Sequence, residues 1–196
     1  MTEIKNKTLA VGGGNCILQP DITGRLWRLE EGLLALETTT SRKQTVLLAL
    51  PGDLVGVESL FDQPCRFDAK ALTHVRLTNV AVPTANKRPS LMGEALHTLQ
   101  QRSLDMASLR TGPVAERLGR YLQLAGHGGH PGEPYPMAHS DRIRRTLPAL
   151  RDLAELVDAK TETVCRALAH LLPKPTNTLA FRLPTLTTLP TPALAA

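Results

Sequence analysis

Hydrophobic positions change rhythm near residue 89. Between residues 9 and 82 short apolar runs alternate with clusters of Gly, Pro, Asp and Thr roughly every eight to twelve residues, a pattern of short antiparallel strands. Strands are predicted at 24–29, 33–37, 45–50 and 70–82, with turns at Glu31-Gly32, residues 39–43 and Pro51-Gly52-Asp53. Several short strands suggest a sandwich or barrel. After Pro89, Met92, Leu96, Leu99, Ser103 and Met106 follow steps of four and three, a heptad seam on one long helix. Leu91, Ala95, Leu104 and Ala107 form a second stripe, so one face suits the β domain and the other a second copy of the chain. A helix simply buried on two sides is the alternative, because the seam is short.

Thr111-Gly112-Pro113 breaks that helix, and another follows with Val114, Leu118, Tyr121, Leu122 and Ala125 on its apolar face, ending at Gly126. Residues 126–136, rich in Gly, Pro and His, read as a flexible connection. Between Arg151 and Leu172 lie two short helical patterns. One turns Leu153, Ala154, Leu156 and Val157 inward and the other Val164, Ala167, Leu168 and Leu171, with Asp158-Ala159-Lys160 between them. Beyond Pro173 a short strand is predicted at 179–183, and the final dozen residues offer too little apolar surface to offset the entropy of ordering.

The chain has 196 residues, enough for two small domains, and aromatics at 3% leave the core to aliphatic packing. The net charge of +5 is unevenly spread. Up to Pro83 nine basic residues balance nine acidic ones, whereas fourteen face nine in the remainder, as expected of a phosphate-binding half beside a neutral one. A solvated surface would also tolerate such an excess. Cys16, Cys65 and Cys165 are widely spaced, without CxxC or CxxH grouping, so free thiols are expected. No apolar run approaches the ~20 residues of a membrane span, and the opening residues lack a signal-peptide core, so a cytoplasmic protein with no membrane partner is expected.

Two short helices across a tight turn form the unit in which one helix braces on the DNA backbone and the next enters the major groove. Lys160, Thr161, Glu162, Cys165 and Arg166 occupy the start and the outer face of the second helix. There Arg166 suits guanine O6 and N7, Glu162 suits cytosine N4, and the helix N-terminus attracts phosphate. An exposed ion pair between Glu162 and Arg166, one turn apart, is the plainer alternative.

The run DLAELVDAKTETVCRALAHL, residues 152–171, resembles the helix-turn-helix of the cyclic-AMP receptor protein and fumarate-nitrate reduction regulator (CRP/FNR) family. LPGDLVGVESLF at 50–61 and KALTHVRL at 70–77 resemble its effector-domain roll, and GPVAERLGRYLQLA at 112–125 the helix opening its DNA-binding domain. The resemblance covers nearly the whole chain. It implies an α+β fold: an N-terminal double-stranded antiparallel β-roll (1–88), a long dimerisation helix (89–111), a C-terminal winged helix-turn-helix (112–184) and a flexible tail (185–196). It further implies a homodimer reading a palindromic double-stranded DNA site, with RNA polymerase as a further partner. By position Glu162 and Arg166 match the family's base-contacting Glu and Arg, and Thr161 and Cys165 fall where specificity varies. Asp158 stands where the family often has Gly, and Ala149 where it often has Thr.

Cyclic-nucleotide-binding relatives carry a Gly-Glu pair for the ribose and an Arg-Ser pair for the phosphate. Here Gly56 precedes Val57, and the phosphate loop reads Cys65-Arg66-Phe67, with Glu58 and Arg66 one place off. Gly56, Glu58, Cys65 and Arg66 therefore mark the effector pocket but argue against cyclic AMP. The cysteine cluster of iron-sulfur members is absent, leaving Cys16 alone. His74 keeps haem open as a ligand, a polar surface residue being the simpler reading. His127 and His130 form an HxxH pair on a glycine-rich loop without a partner carboxylate or Cys, so no metal is expected. There is no GxSxG, HExxH or Walker loop, and Gly12-Gly13-Gly14 precedes no helix, so an enzyme is not expected. The competing reading is a haem- or small-molecule-sensing dimer whose helix-turn-helix contacts protein.

Overall fold

The computed structural model describes residues 8–18, 24–38, 43–81 and 87–174. The expected strand at 179–183 and the tail lie outside them. Among the described residues the N-terminal half forms two four-stranded antiparallel sheets. One runs β1 (Thr8–Val11), β8 (Val75–Asn79), β3 (Trp27–Glu31), β6 (Leu54–Val55); the other runs β2 (Cys16–Leu18), β7 (Asp68–Ala71), β4 (Leu34–Glu37), β5 (Thr45–Ala49). Alternation drives the packing. Trp27, Leu29, Val75 and Leu77 point into the space between the sheets, where they meet Leu34, Ala49, Ala69 and Ala71 of the second sheet.

The second sheet is covered on both faces. Leu34 and Ala49 enter the roll's own core, whereas Ala35, Leu48 and Leu50 join the core of the helical half. Each fully buried leucine removes enough apolar surface from water to contribute about 1.5 to 3 kcal/mol.

Among the described residues five helices follow: α1 (Arg88–Arg110), α2 (Val114–Leu124), α3 (Met137–Thr146), α4 (Leu150–Leu156) and α5 (Thr161–Leu171). The N-terminal part of α1 lies on the roll, with Leu91, Met92 and Ala95 against Leu26, Leu54 and Leu60. Its C-terminal part sends Met106 and Leu109 into the helical core. Arg28 pairs with Glu94 at 2.6 Å and Arg102 with Asp53 at 2.8 Å, fixing the helix along the roll. Thr111 is extended and Gly112 has φ 93, so the chain turns sharply into α2. Among the described residues no helix is long and apolar enough to cross a membrane.

Several expectations change. The strand predicted at 70–82 is two strands, β7 and β8, separated by a turn without Gly or Pro, where Thr73 Oγ1 accepts the Leu33 amide at 3.0 Å. The segment predicted at 24–29 becomes a strand only from Trp27. β1, β2, β6 and α3 go beyond the predicted elements; α3 buries only Ser140 and Ile143, too few positions to mark a helical period. Residues 126–136 are not loose. The Tyr135 amide donates to the Leu171 carbonyl at 2.7 Å, Gln123 donates to Gly129 O at 2.6 Å, and Tyr135 OH donates to Gly128 O.

Candidate nucleic-acid interface

Helices α4 and α5 meet across a turn whose shape depends on Asp158, the residue with φ 46. Few non-glycine residues adopt this left-handed conformation, and Asp tolerates it better than most. The turn is held from behind by Arg117 of α2, whose Nη1 donates to the carbonyls of Val157 at 2.7 Å and Asp158 at 3.2 Å. Its Nε donates to Gly112 O at 2.7 Å, so one guanidinium ties the turn to the start of α2. Leu153, Ala154, Leu156 and Val157 are buried, as are Val164, Leu168 and Leu171 opposite them. Arg144 of α3 donates to Leu172 O, capping the far end of α5. These contacts tie the turn before α5 and the end of α5 to the rest of the helical core.

Among the described residues the outer face of α5 is free of partners. Lys160 is the extended residue opening α5, and Lys160, Thr161, Glu162, Cys165 and Arg166 are all exposed. Among the described residues neither Glu162 nor Arg166 has a hydrogen-bond or ion-pair partner, so the ion pair allowed by their spacing is not formed. Cys165 is a free exposed thiol. In the same half of the chain Arg142, Arg145, Arg151 and Lys174 are also exposed and, among the described residues, unpaired. By contrast Arg102, Arg117, Arg120 and Arg144 are spent inside the protein, on Asp53 and on backbone carbonyls. Only part of the basic excess is therefore available to an outside anion.

The residues expected at an effector pocket surround the 3-10 turn Val57–Phe61. Gly56 has φ 79, and a Cβ there would lie 2.5 Å from Arg25 O, so glycine is required. Glu58 turns its carboxylate onto the Arg66 amide at 3.4 Å, while the Arg66 side chain is exposed. Cys65 is buried in the roll, where desolvation and then the Glu58 charge push its thiol pKa up. The four residues thus share one corner, but the thiol faces inward.

Along α1 the seam residues divide. Leu96 is 59% exposed, Leu99 47%, and Ser103 is exposed, whereas Met92 leans on the roll and Met106 is buried within the chain. Leu104, on the second stripe, is 67% exposed, and Phe61 adds a further exposed apolar side chain near Leu96 and Leu99. Nothing in the helical period of α1 pointed to Phe61, which lies in a different element.

His74 and His127 line a cleft between the roll and the helices. His127 Nε2 lies 3.2 Å from Thr146 Oγ1, and burial, followed by the Arg142 charge, lowers its pKa. His130 is exposed. Sequence reasoning missed Lys70, Asp152 and Glu155, which join the roll to α4; a lysine in a strand and two acids in a helix carry no signal that they will meet.

No family model matches the chain. A transcriptional regulator of Thermus thermophilus, SdrP, is 29% identical over 181 residues, covering 87% of this chain and 84% of the relative. A CRP-family transcriptional regulator from Thermus thermophilus superposes with a TM-score of 0.61 at 23% identity, over 83% of each chain. A CRP/FNR-family regulator from the same organism gives 0.56 at 24% identity over 82% of this chain and 83% of its own. FixK2 of Bradyrhizobium japonicum gives 0.57 at 20% identity, over 86% and 85%. Over most of its length the chain is thus similar in sequence to a transcriptional regulator, and its fold is that of the CRP/FNR-family structures.

Proposed function

We propose that the protein is a transcription regulator that binds double-stranded DNA as a homodimer, with α5 as the helix that enters the major groove. The observation carrying this reading is the outer face of α5: among the described residues Glu162 and Arg166 are exposed and unpartnered, on a helix whose preceding turn is tied by Arg117 and whose far end is capped by Arg144. Base edges demand such side chains, because a donor or acceptor already satisfied inside the protein gains little from a base. Arg142, Arg145 and Arg151, unpaired among the described residues, supply cations for backbone phosphates. The exposed stripe of Leu96, Leu99 and Leu104 supports pairing of two chains along α1, which would present α5 twice.

For the effector region the supported reading is that cyclic AMP does not bind. Val57 supplies no carboxylate for a ribose, and Glu58 is occupied with the Arg66 amide. Adding cyclic AMP is expected to leave the melting temperature unchanged; a concentration-dependent rise contradicts this.

Selection from random duplexes tests the main reading. The purified chain is expected to enrich a two-fold-symmetric sequence whose half-sites are centred about one helical turn apart. Its affinity for that sequence should fall with salt, with a log–log slope of about −0.9 per phosphate contact. No enrichment at low ionic strength would leave α5 as a surface for protein rather than DNA.

A further inference from the structure

The helical half is fastened to the roll through a charged cluster that no local sequence pattern announces. Lys70 of β7 reaches from the second sheet to Asp152 in the first turn of α4, with Nζ to Oδ1 at 2.6 Å. On the same ammonium, Glu37 of β4 sits at 3.8 Å. One turn along α4, the Glu155 carboxylate accepts the backbone amide of Thr45 in β5 at 3.0 Å and its hydroxyl at 3.4 Å. Arg110, the last residue of α1, donates to Thr45 O from the other side.

Asp152 and Glu155 stand three residues apart, so they share one face of α4, turned to the roll, while Leu153, Leu156 and Val157 pack elsewhere in the helical core. The cluster is partly shielded: the side chains of Lys70, Asp152 and Glu37 are 22%, 13% and 7% exposed. Burial works against the Lys70 charge, but the Asp152 hydrogen bond and the surrounding carboxylates raise its pKa above the ordinary lysine value. Glu37 is pushed up by burial, with Lys70 opposing. Lys70 is thus the cation on which carboxylates from the roll and from α4 converge. Removing it leaves Asp152 without its ion-pair partner and Glu37 with only the Lys43 charge, itself paired to Asp68, to offset its burial, which weakens the hold between the two surfaces.

We propose that Lys70 is a positioning residue for DNA recognition: through Asp152 it holds α4 against the roll and so fixes the direction in which Glu162 and Arg166 on α5 are presented. This rests on the DNA-binding reading above. A helix pair held in place loses less orientational freedom on binding than one that swings on the Thr111-Gly112 joint, and in a symmetric dimer the saving applies twice.

The test compares the full-length wild type with Lys70→Met, which keeps the apolar stem and removes the charge, and Lys70→Arg, which keeps the charge. Hydrogen exchange reads the latch without DNA. In Lys70→Met the amides of β5, Thr45 included, and of α4 should exchange faster, while those of β3 and β8 stay protected; in Lys70→Arg they should remain near wild type. Affinity for the selected duplex then reads the consequence: at least about a fivefold loss for Lys70→Met, the low end of ordinary coupling between sites, and recovery for Lys70→Arg. Unchanged exchange in Lys70→Met would overturn the latch. Faster exchange with equal or tighter duplex affinity would overturn the positioning role. A wild type that binds no duplex defeats the DNA reading instead, and the exchange comparison still decides whether the latch exists.

Discussion

Asp158 shows how much one residue can carry. Its left-handed φ of 46 sets the angle between α4 and α5, a conformation that costs most side chains about 1 to 2 kcal/mol. Asp158→Gly is expected to hold or raise the melting temperature, and Asp158→Val to lower stability by about 1 to 2 kcal/mol, since a β-branched side chain fits there worst. Equal melting temperatures for the two variants would contradict the account. His127 gives a second residue-scale expectation. The folded protein prefers its neutral ring, so below the ordinary value of 6.5 the unfolded chain takes up a proton that the folded chain refuses. Its stabilising contribution is present above pH 6.5 and lost as pH falls through the depressed folded value. His127→Gln should therefore lose less stability than wild type between about pH 7.5 and 5 in urea titrations, and parallel losses would count against it. The exposure of Glu162 and Arg166 was legible from the 3.6-residue period of α5, because Val164, Leu168 and Leu171 define the buried side. The conformation of Asp158 was visible only as a departure from the family's Gly, since spacing carries no φ.

At the scale of elements, legibility followed the strength of local patterns. α2, α4 and α5 each bury an apolar stripe and α1 carries a seam that is only partly buried, and the sequence pattern places all four within a few residues. It does not place α3, because the buried side chains there are few and the ends are set by partners: Pro136 opens the helix, and its Arg144 caps α5. The β7–β8 turn escaped for a related reason. Its shape comes from Thr73 and from the Leu72 amide donating to Leu33 O at 2.9 Å, tertiary bonds that a run of Lys, Ala, Leu, Thr, His and Val does not announce. Arg117 is the element-scale device with the clearest consequence, since it bonds the start of α2 and the α4–α5 turn at once. Replacing it by Met keeps the stem but leaves carbonyls unpaired, and hydrogen bonds to a charged donor contribute about 1.5 to 3 kcal/mol. Arg117→Met is expected to unfold at correspondingly lower urea concentration and to loosen the turn amides in hydrogen exchange. A midpoint unchanged from wild type would show that the turn needs no such support.

For the whole molecule, the charge split read from the sequence overstates the cationic surface of the C-terminal part, because several of its arginines serve as internal caps. The roll and the helices share one apolar core through Ala35, Leu48 and Leu50, which no local pattern distinguished from the roll's own interior. Assembly is a property of this scale. Exposed Leu96 and Leu99 should make the chain dimeric in sedimentation experiments, and Leu96→Glu with Leu99→Glu should give a folded monomer; a double variant that remains dimeric would move the interface away from α1. The claim on which the rest depends is that α5 reads bases. It is tested most directly by the affinities of wild type and Arg166→Ala for a set of duplexes that vary one symmetric base pair at a time. The account predicts that the variant loses discrimination of about 1 to 3 kcal/mol at one position in each half-site and keeps it elsewhere. Uniform weakening across every duplex, with the base preferences intact, would contradict it.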